Sequence, residues 1–163
     1  MSRIKMLVAD VDGTLTDGHI YTGPDGEVMK VFSCKDGYAY QSILPKTGIV
    51  PVIITGRNSP IMEQRAKELR VKELYQGIQD KLPLLKEIAA RYGITREEIA
   101  YIGDDLNDWD CLCWCGLSAC PMDAAAQVRQ KVDYICPHNG GQGAVRDLVD
   151  HIVSMEADGQ CDD

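Results

Sequence analysis

Short apolar runs alternate along this chain with segments whose apolar residues recur every three or four positions. The first run, Met6 to Val11, ends in Asp10, Asp12, Gly13 and Thr14. A short apolar run bounded by a turn signal predicts a buried strand. The same pattern predicts strands over Ile49–Ile54, Ile99–Ile102 and Leu117–Cys120, with briefer ones at Glu73–Gln76 and Val132–Cys136. His19–Thr22 and Glu27–Phe32 flank Gly23-Pro24-Asp25-Gly26, which predicts a β-hairpin.

Helical spacing fills the intervals. Asp36 can cap a helix running to about Pro45, where proline and then Gly48 close the segment, and Ile61, Met62, Ala66 and Leu69 share one face of a helix over 59–70. Asp80 caps a segment whose Leu84, Leu85, Ile88 and Ala89 form an apolar stripe and whose stop is Gly93. Thr95 to Glu98 reads as a capping box leading into a single turn. Further helices are expected through Leu112, near Ala124–Gln130 and over Ala144–Val153.

Strands alternating with helices specify an α/β fold: a doubly wound, Rossmann-like, mainly parallel sheet with helices on both faces. The hairpin, residues 18–33, is a small insertion after the first strand. At 163 residues the chain suits one domain, residues 1–154, followed by a polar tail, 155–163, read as disordered. Reactive groups of such a sheet belong at the carboxyl ends of its strands.

Charge and composition narrow the partners. A net charge of −8 and a pI near 4.8 argue against nucleic acid or an anionic membrane as partner. The chain has no apolar run of membrane-spanning length and no signal-peptide pattern, so a cytoplasmic location is expected. Seven cysteines, an odd number without scaffold spacing, read as reduced thiols. Cys111, Cys113 and Cys115 lack the Cys-x-x-Cys spacing of a zinc knuckle, which favours a packing role.

The chemistry gathers at strand ends. In extended backbone Asp10 and Asp12 share a face, and two carboxylates so close repel unless a cation or a shared proton lies between them. A divalent metal is the natural third party. Thr55 in Thr55-Gly56-Arg57 ends a second strand, Asp104 and Asp108 follow another, and Lys81 opens a helix between them.

DVDGT, ITGR, Lys81 and GDDLND, in that order, resemble the four motifs of the haloacid dehalogenase superfamily of phosphohydrolases. The likeness spans essentially the whole chain. Within that superfamily the chain resembles the small phosphatases without a cap domain that act on 3-deoxy-D-manno-octulosonate 8-phosphate or on related nine-carbon sugar acids. Lys35-Asp36-Gly37-Tyr38, Tyr75-Gln76-Gly77 and Gly140-Gly141-Gln142-Gly143-Ala144-Val145-Arg146 support it.

The resemblance implies Asp10 as nucleophile, forming an aspartyl phosphate, and Asp12 as acid and then base. It implies Mg²⁺ held by Asp10, the backbone carbonyl of Asp12 and Asp104, with Asp108 supporting the metal or orienting Lys81. Thr55 and the Gly56 amide would bind phosphoryl oxygens and Lys81 would neutralise charge. Asp105 and Asn107 would cap or support these groups.

Arg57, Arg65 and Lys35 are candidates for the substrate carboxylate, with Arg146 a further one. The resemblance also implies a homotetramer in which hairpins pack together and a neighbour covers each active site. Relatives acting on nine-carbon acids resemble this chain but carry Glu where Arg57 stands and Lys where Glu68 stands. That contrast favours the eight-carbon substrate, an N-acylneuraminate or KDN 9-phosphate being the alternative. From other classes, a receiver-like signalling domain or a noncatalytic scaffold would share the fold. Asp12, two positions past Asp10, argues against a receiver, because an acid/base there makes an aspartyl phosphate short-lived.

Overall fold

The structure, a computed structural model, describes residues 3–158. Six strands form one parallel sheet: β1 (Met6–Ala9), β4 (Val50–Ile54), β5 (Glu73–Tyr75), β6 (Ile99–Ile102), β7 (Leu117–Cys120) and β8 (Tyr134–Ile135), while β2 (Tyr21–Gly23) and β3 (Gly26–Met29) pair antiparallel outside it. The sheet order is β5-β4-β1-β6-β7-β8, and every pairing in it is parallel. The chain leaves β1 in one direction to build β4 and β5, then crosses back to place β6 on the other side of β1. The resulting crevice beyond β1 is where such sheets bind ligands.

Alternation along the strands divides the core into two layers. Leu7 and Ala9 of β1, Ile53 of β4 and Ala100 and Ile102 of β6 face one cluster, which includes Met62, Ala66, Leu148 and Ile152. Met6, Val8, Val52, Ile54 and Tyr101 face the other, with Leu85, Ile88, Leu112 and Val128. The first layer is covered by the turn Ala39–Ile43 that follows α1 (Cys34–Tyr38), and by α2 (Leu44–Thr47), α3 (Pro60–Glu68) and α7 (Ala144–Asp158). The second is covered by α4 (Lys81–Tyr92), α5 (Trp109–Trp114) and α6 (Ala126–Lys131). Both faces of the sheet are therefore buried, which explains why β1 and β6 are apolar at every position.

Several local expectations are corrected. Asp36 does not cap the helix after the hairpin. Ser33 does, accepting from the Lys35 amide at 3.1 Å, so α1 begins earlier and Asp36 lies inside it. The segment does end as expected, just past Pro45 at left-handed Gly48 (φ 76°), but it reaches α2 through a widened π turn over Ala39–Ile43. Proline lacks the amide a regular turn needs, and the wider turn accommodates that loss. Asp80 occupies the N-cap of α4, but its side chain makes no capping bond.

The hairpin strands are shorter than expected, and the strand expected over Val132–Cys136 is ordered as one only at Tyr134–Ile135. At the other end α7 passes Val153 to reach Asp158, with Met155 packed on the core, so the part of the expected tail over 155–158 is helical. Residues 159–163 of that tail, Cys161 among them, lie outside the described residues. No helix among the described residues is long and apolar enough to cross a membrane.

Candidate active site

Asp10 follows β1 directly and is buried, its amide donating to the Ile102 carbonyl of β6 at 3.0 Å. That bond carries the parallel ladder one residue past the strand and fixes the carboxylate over the crevice. Lys81, the first residue of α4, reaches in from the opposite layer with a side chain only 1% exposed, its ammonium 2.7 Å from Asp10 Oδ1 and 2.8 Å from Asp108 Oδ1. Tyr101, one strand over on β6, donates its hydroxyl to the same Asp108 oxygen at 2.6 Å. A buried lysine needs such partners, since an unpaired ammonium in the interior costs several kcal/mol.

Asp10, Asp104 and Asp108 each offer an oxygen, and these oxygens lie within 4.8 Å of one another. Among the described residues this is the one group of three or more His, Cys, Asp or Glu side chains whose ligand atoms lie close enough together to hold a metal ion. Burial and the neighbouring Asp108 charge push the Asp10 carboxyl up to about 6, against the pull of Lys81. Burial, then the charges of Asp10 and Asp108, push Asp104 up to about 8. One ammonium is thus too little positive charge for three acids. Asp108 Oδ2 is also buried without a hydrogen-bond partner. Hard oxygen donors with surplus negative charge suit a small divalent cation such as Mg²⁺.

The turn after β1 carries the next groups. Thr14 donates to Asp104 Oδ1 at 3.4 Å, and Gly13 has a φ of +91°. The Asp12 carboxylate stays out of the acid cluster and instead meets Lys30, whose ammonium is 2.5 Å from Asp12 Oδ1 and 2.9 Å from Glu27 Oε1. Burial alone would lower the Lys30 pKa, but these two carboxylates raise it. Lys30 and Glu27 went unrecognised in the sequence because they sit among exposed hairpin residues and only the folded hairpin turns them toward Asp12. Tyr101 was equally hidden, as one letter of an apolar strand.

Thr55 is buried just beyond β4, its amide held by the Tyr75 carbonyl, and Gly56 accepts from Gln79 Nε2 at 3.0 Å. The four expected carboxylate binders are not drawn into the acid cluster. Arg57 is half exposed, with a guanidinium nitrogen 3.9 Å from Glu27. Arg65 lies over the Phe32 ring and binds Glu68 at 3.1 Å, its Nε buried and unpartnered. Together with Lys30, Phe32 and Glu68 it lines a cavity of about 450 Å³. Lys35 meets His138 Nε2 at 3.3 Å, and Arg146 pairs with Asp150 at 2.8 Å. Asp105 caps the turn after β6 by accepting from the Leu106 amide at 2.7 Å, and Asn107 is exposed. The three clustered cysteines diverge, with Cys111 buried, Cys113 exposed and Cys115 between.

A family model described as haloacid dehalogenase-like hydrolase matches residues 72–148, which hold Lys81, Asp104 and Asp108. A 3-deoxy-D-manno-octulosonate 8-phosphate phosphatase of Yersinia pestis is 41% identical over 152 residues, covering 93% of this chain and 81% of the relative. The chain belongs to the haloacid dehalogenase-like phosphatases. The crystal structure of a Yersinia pestis phosphatase of that name superposes with a TM-score of 0.89 at 42% identity, over 92% of this chain and 80% of the other. The Moraxella catarrhalis phosphatase, solved with magnesium, phosphate and a KDO molecule, gives 0.88 at 39% identity over 93% and 86% of the two chains. Among the described residues, nothing larger than the β2–β3 hairpin stands between β1 and α1.

Proposed function

We propose that the chain hydrolyses 3-deoxy-D-manno-octulosonate 8-phosphate to the free sugar acid and inorganic phosphate, serving lipopolysaccharide synthesis. The observation that carries the reading is the buried Asp10 beside Lys81, Asp104 and Asp108, in a chain about 40% identical to phosphatases of that name.

Asp10 attacks phosphorus, so that an Asp10–phosphorus bond forms as the bond to the sugar oxygen breaks. Asp12 gives that oxygen its proton. It then takes a proton from water, which attacks the aspartyl phosphate, frees Asp10 and releases phosphate. Thr55 and the Gly56 amide donate to phosphoryl oxygens, and Lys81 steadies the Asp10 carboxylate. Asp108 keeps Lys81 in place, as Tyr101 keeps Asp108. Asp10, Asp104 and the Asp12 backbone carbonyl would hold Mg²⁺, with Asp108 in support. When bound, the ion offsets repulsion between the acids and the phosphate dianion.

Arg57, Arg65 and Lys35 remain the candidates for the substrate carboxylate, and Arg65, with its unpartnered Nε beside the 450 Å³ cavity, is the best placed. Ile20, Val28, Met29 and Val31 are exposed on and beside the hairpin, which supports a homotetramer built through it. Six free thiols among the described residues suit a reducing, cytoplasmic setting. Phosphate release from the eight-carbon and nine-carbon sugar-acid phosphates, measured side by side, tests the substrate. A clear preference for the eight-carbon ester is expected, and comparably poor rates on both would refute it.

A further inference from the structure

Lys30 lies on the hairpin just past β3, yet its side chain is only 3% exposed. It is held from two sides. Asp12 Oδ1 and Glu27 Oε1 both bind its ammonium, while the second Glu27 oxygen accepts from the Ser59 hydroxyl. Ser59 is in turn the N-cap of α3, accepting from the Met62 amide at 3.3 Å. A line of contacts therefore runs from the turn after β1, through the hairpin, to the start of α3. Asp12, whose side chain is 20% exposed, would otherwise be free to turn into solvent. The bond from Lys30 occupies Oδ1, and Oδ2 has no protein partner among the described residues.

We propose that Lys30 is a positioning residue for proton transfer, locking the Asp12 carboxylate through Oδ1 so that Oδ2 meets the departing sugar oxygen. The proposal rests on Asp12 being the acid of the reaction. Its force lies in geometry: general acid catalysis needs the proton within hydrogen-bond reach of the leaving atom. A loosely held carboxylate meets that condition only part of the time.

The test compares two leaving groups in single turnovers with enzyme in excess. A sugar alkoxide must be protonated as it leaves, whereas the nitrophenolate of p-nitrophenyl phosphate departs without a proton. Lys30→Met should slow release of the sugar acid from 3-deoxy-D-manno-octulosonate 8-phosphate by about tenfold or more, and nitrophenolate release by less than about threefold. Lys30→Arg should recover most of the loss. Equal slowing of both substrates, or of neither, would overturn the proposal. Should Lys30→Met not fold, Glu27→Gln, which frees one side of Lys30, is expected to give a smaller loss with the same selectivity, and a uniform effect would count against it. Asp12→Asn in the same assay separates the two ideas, since equal slowing of both release steps there would remove Asp12 as the acid whatever Lys30 does.

Discussion

A β-carbon placed on Gly13 would overlap the Asp104 carboxylate, so the two residues occupy one space that only glycine leaves open. The left-handed backbone at Gly13, φ +91°, independently disfavours any side chain. Gly13→Ala should displace Asp104 from the acid cluster, lowering phosphate release by about 100-fold or more and weakening the response to Mg²⁺. A variant with ordinary kinetics and an ordinary Mg²⁺ requirement would show that Asp104 has no fixed place in the reaction.

Lys81 should matter to the fold as well as to the reaction. It is the only cation bonded to the acid cluster among the described residues, and its removal leaves Asp10 and Asp108 buried without it. Lys81→Met is expected to cost about 3–5 kcal/mol of unfolding free energy in chelator, by urea titration, and to cut turnover by about 100-fold or more. Asp36 offers a contrast. Its Oδ1 accepts from the Arg146 amide at 2.8 Å and ties α1 to the start of α7, so its loss should lower stability with little change in turnover.

The raised carboxyls set a pH dependence whose sign can be worked out. Asp10 and Asp104 titrate near 6 and 8 in the folded chain, against 3.8 for an unperturbed aspartate. Between about pH 4 and 8 the folded state therefore holds more protons than the unfolded one, and stability in chelator falls as pH rises. Mg²⁺ competes with those protons. Its addition should raise the melting temperature more at pH 8 than at pH 5 and should release protons near pH 7. Asp36, pushed up to about 6 mainly by burial, contributes equally with and without metal and drops out of the difference. An equal Mg²⁺ increment at both pH values would contradict the acid cluster as the binding site.

Much of this was legible in the sequence because each decisive residue sits next to a strong periodic signal. Asp10, Thr55 and Asp104 all lie one or two residues past apolar strands, and a parallel sheet sends such positions to one edge. Lys81 was legible as the first residue of a helix beginning at that edge. What failed to show were contacts between elements. Asp36 has the local look of a helix cap, yet it caps α7, a partner 110 residues away. Lys30 and Glu27 flank the exposed apolar pair Val28 and Met29 in a hairpin, and only its packing against the turn after β1 and the start of α3 makes them part of the site. Pro45 and Gly48 do mark the end of their helical segment, but no local pattern announces the π turn before it.

The central claim is that Asp10 becomes esterified by phosphate and that Asp12 undoes the ester. Acid-quenched turnover of phosphate-labelled 3-deoxy-D-manno-octulosonate 8-phosphate, followed by peptide mass mapping, tests it most directly. The phosphoryl group should be found on Asp10, transiently in the native enzyme and persistently in Asp12→Asn. Continued phosphate release with no adduct on Asp10 in either protein, or an adduct on another residue, would contradict it.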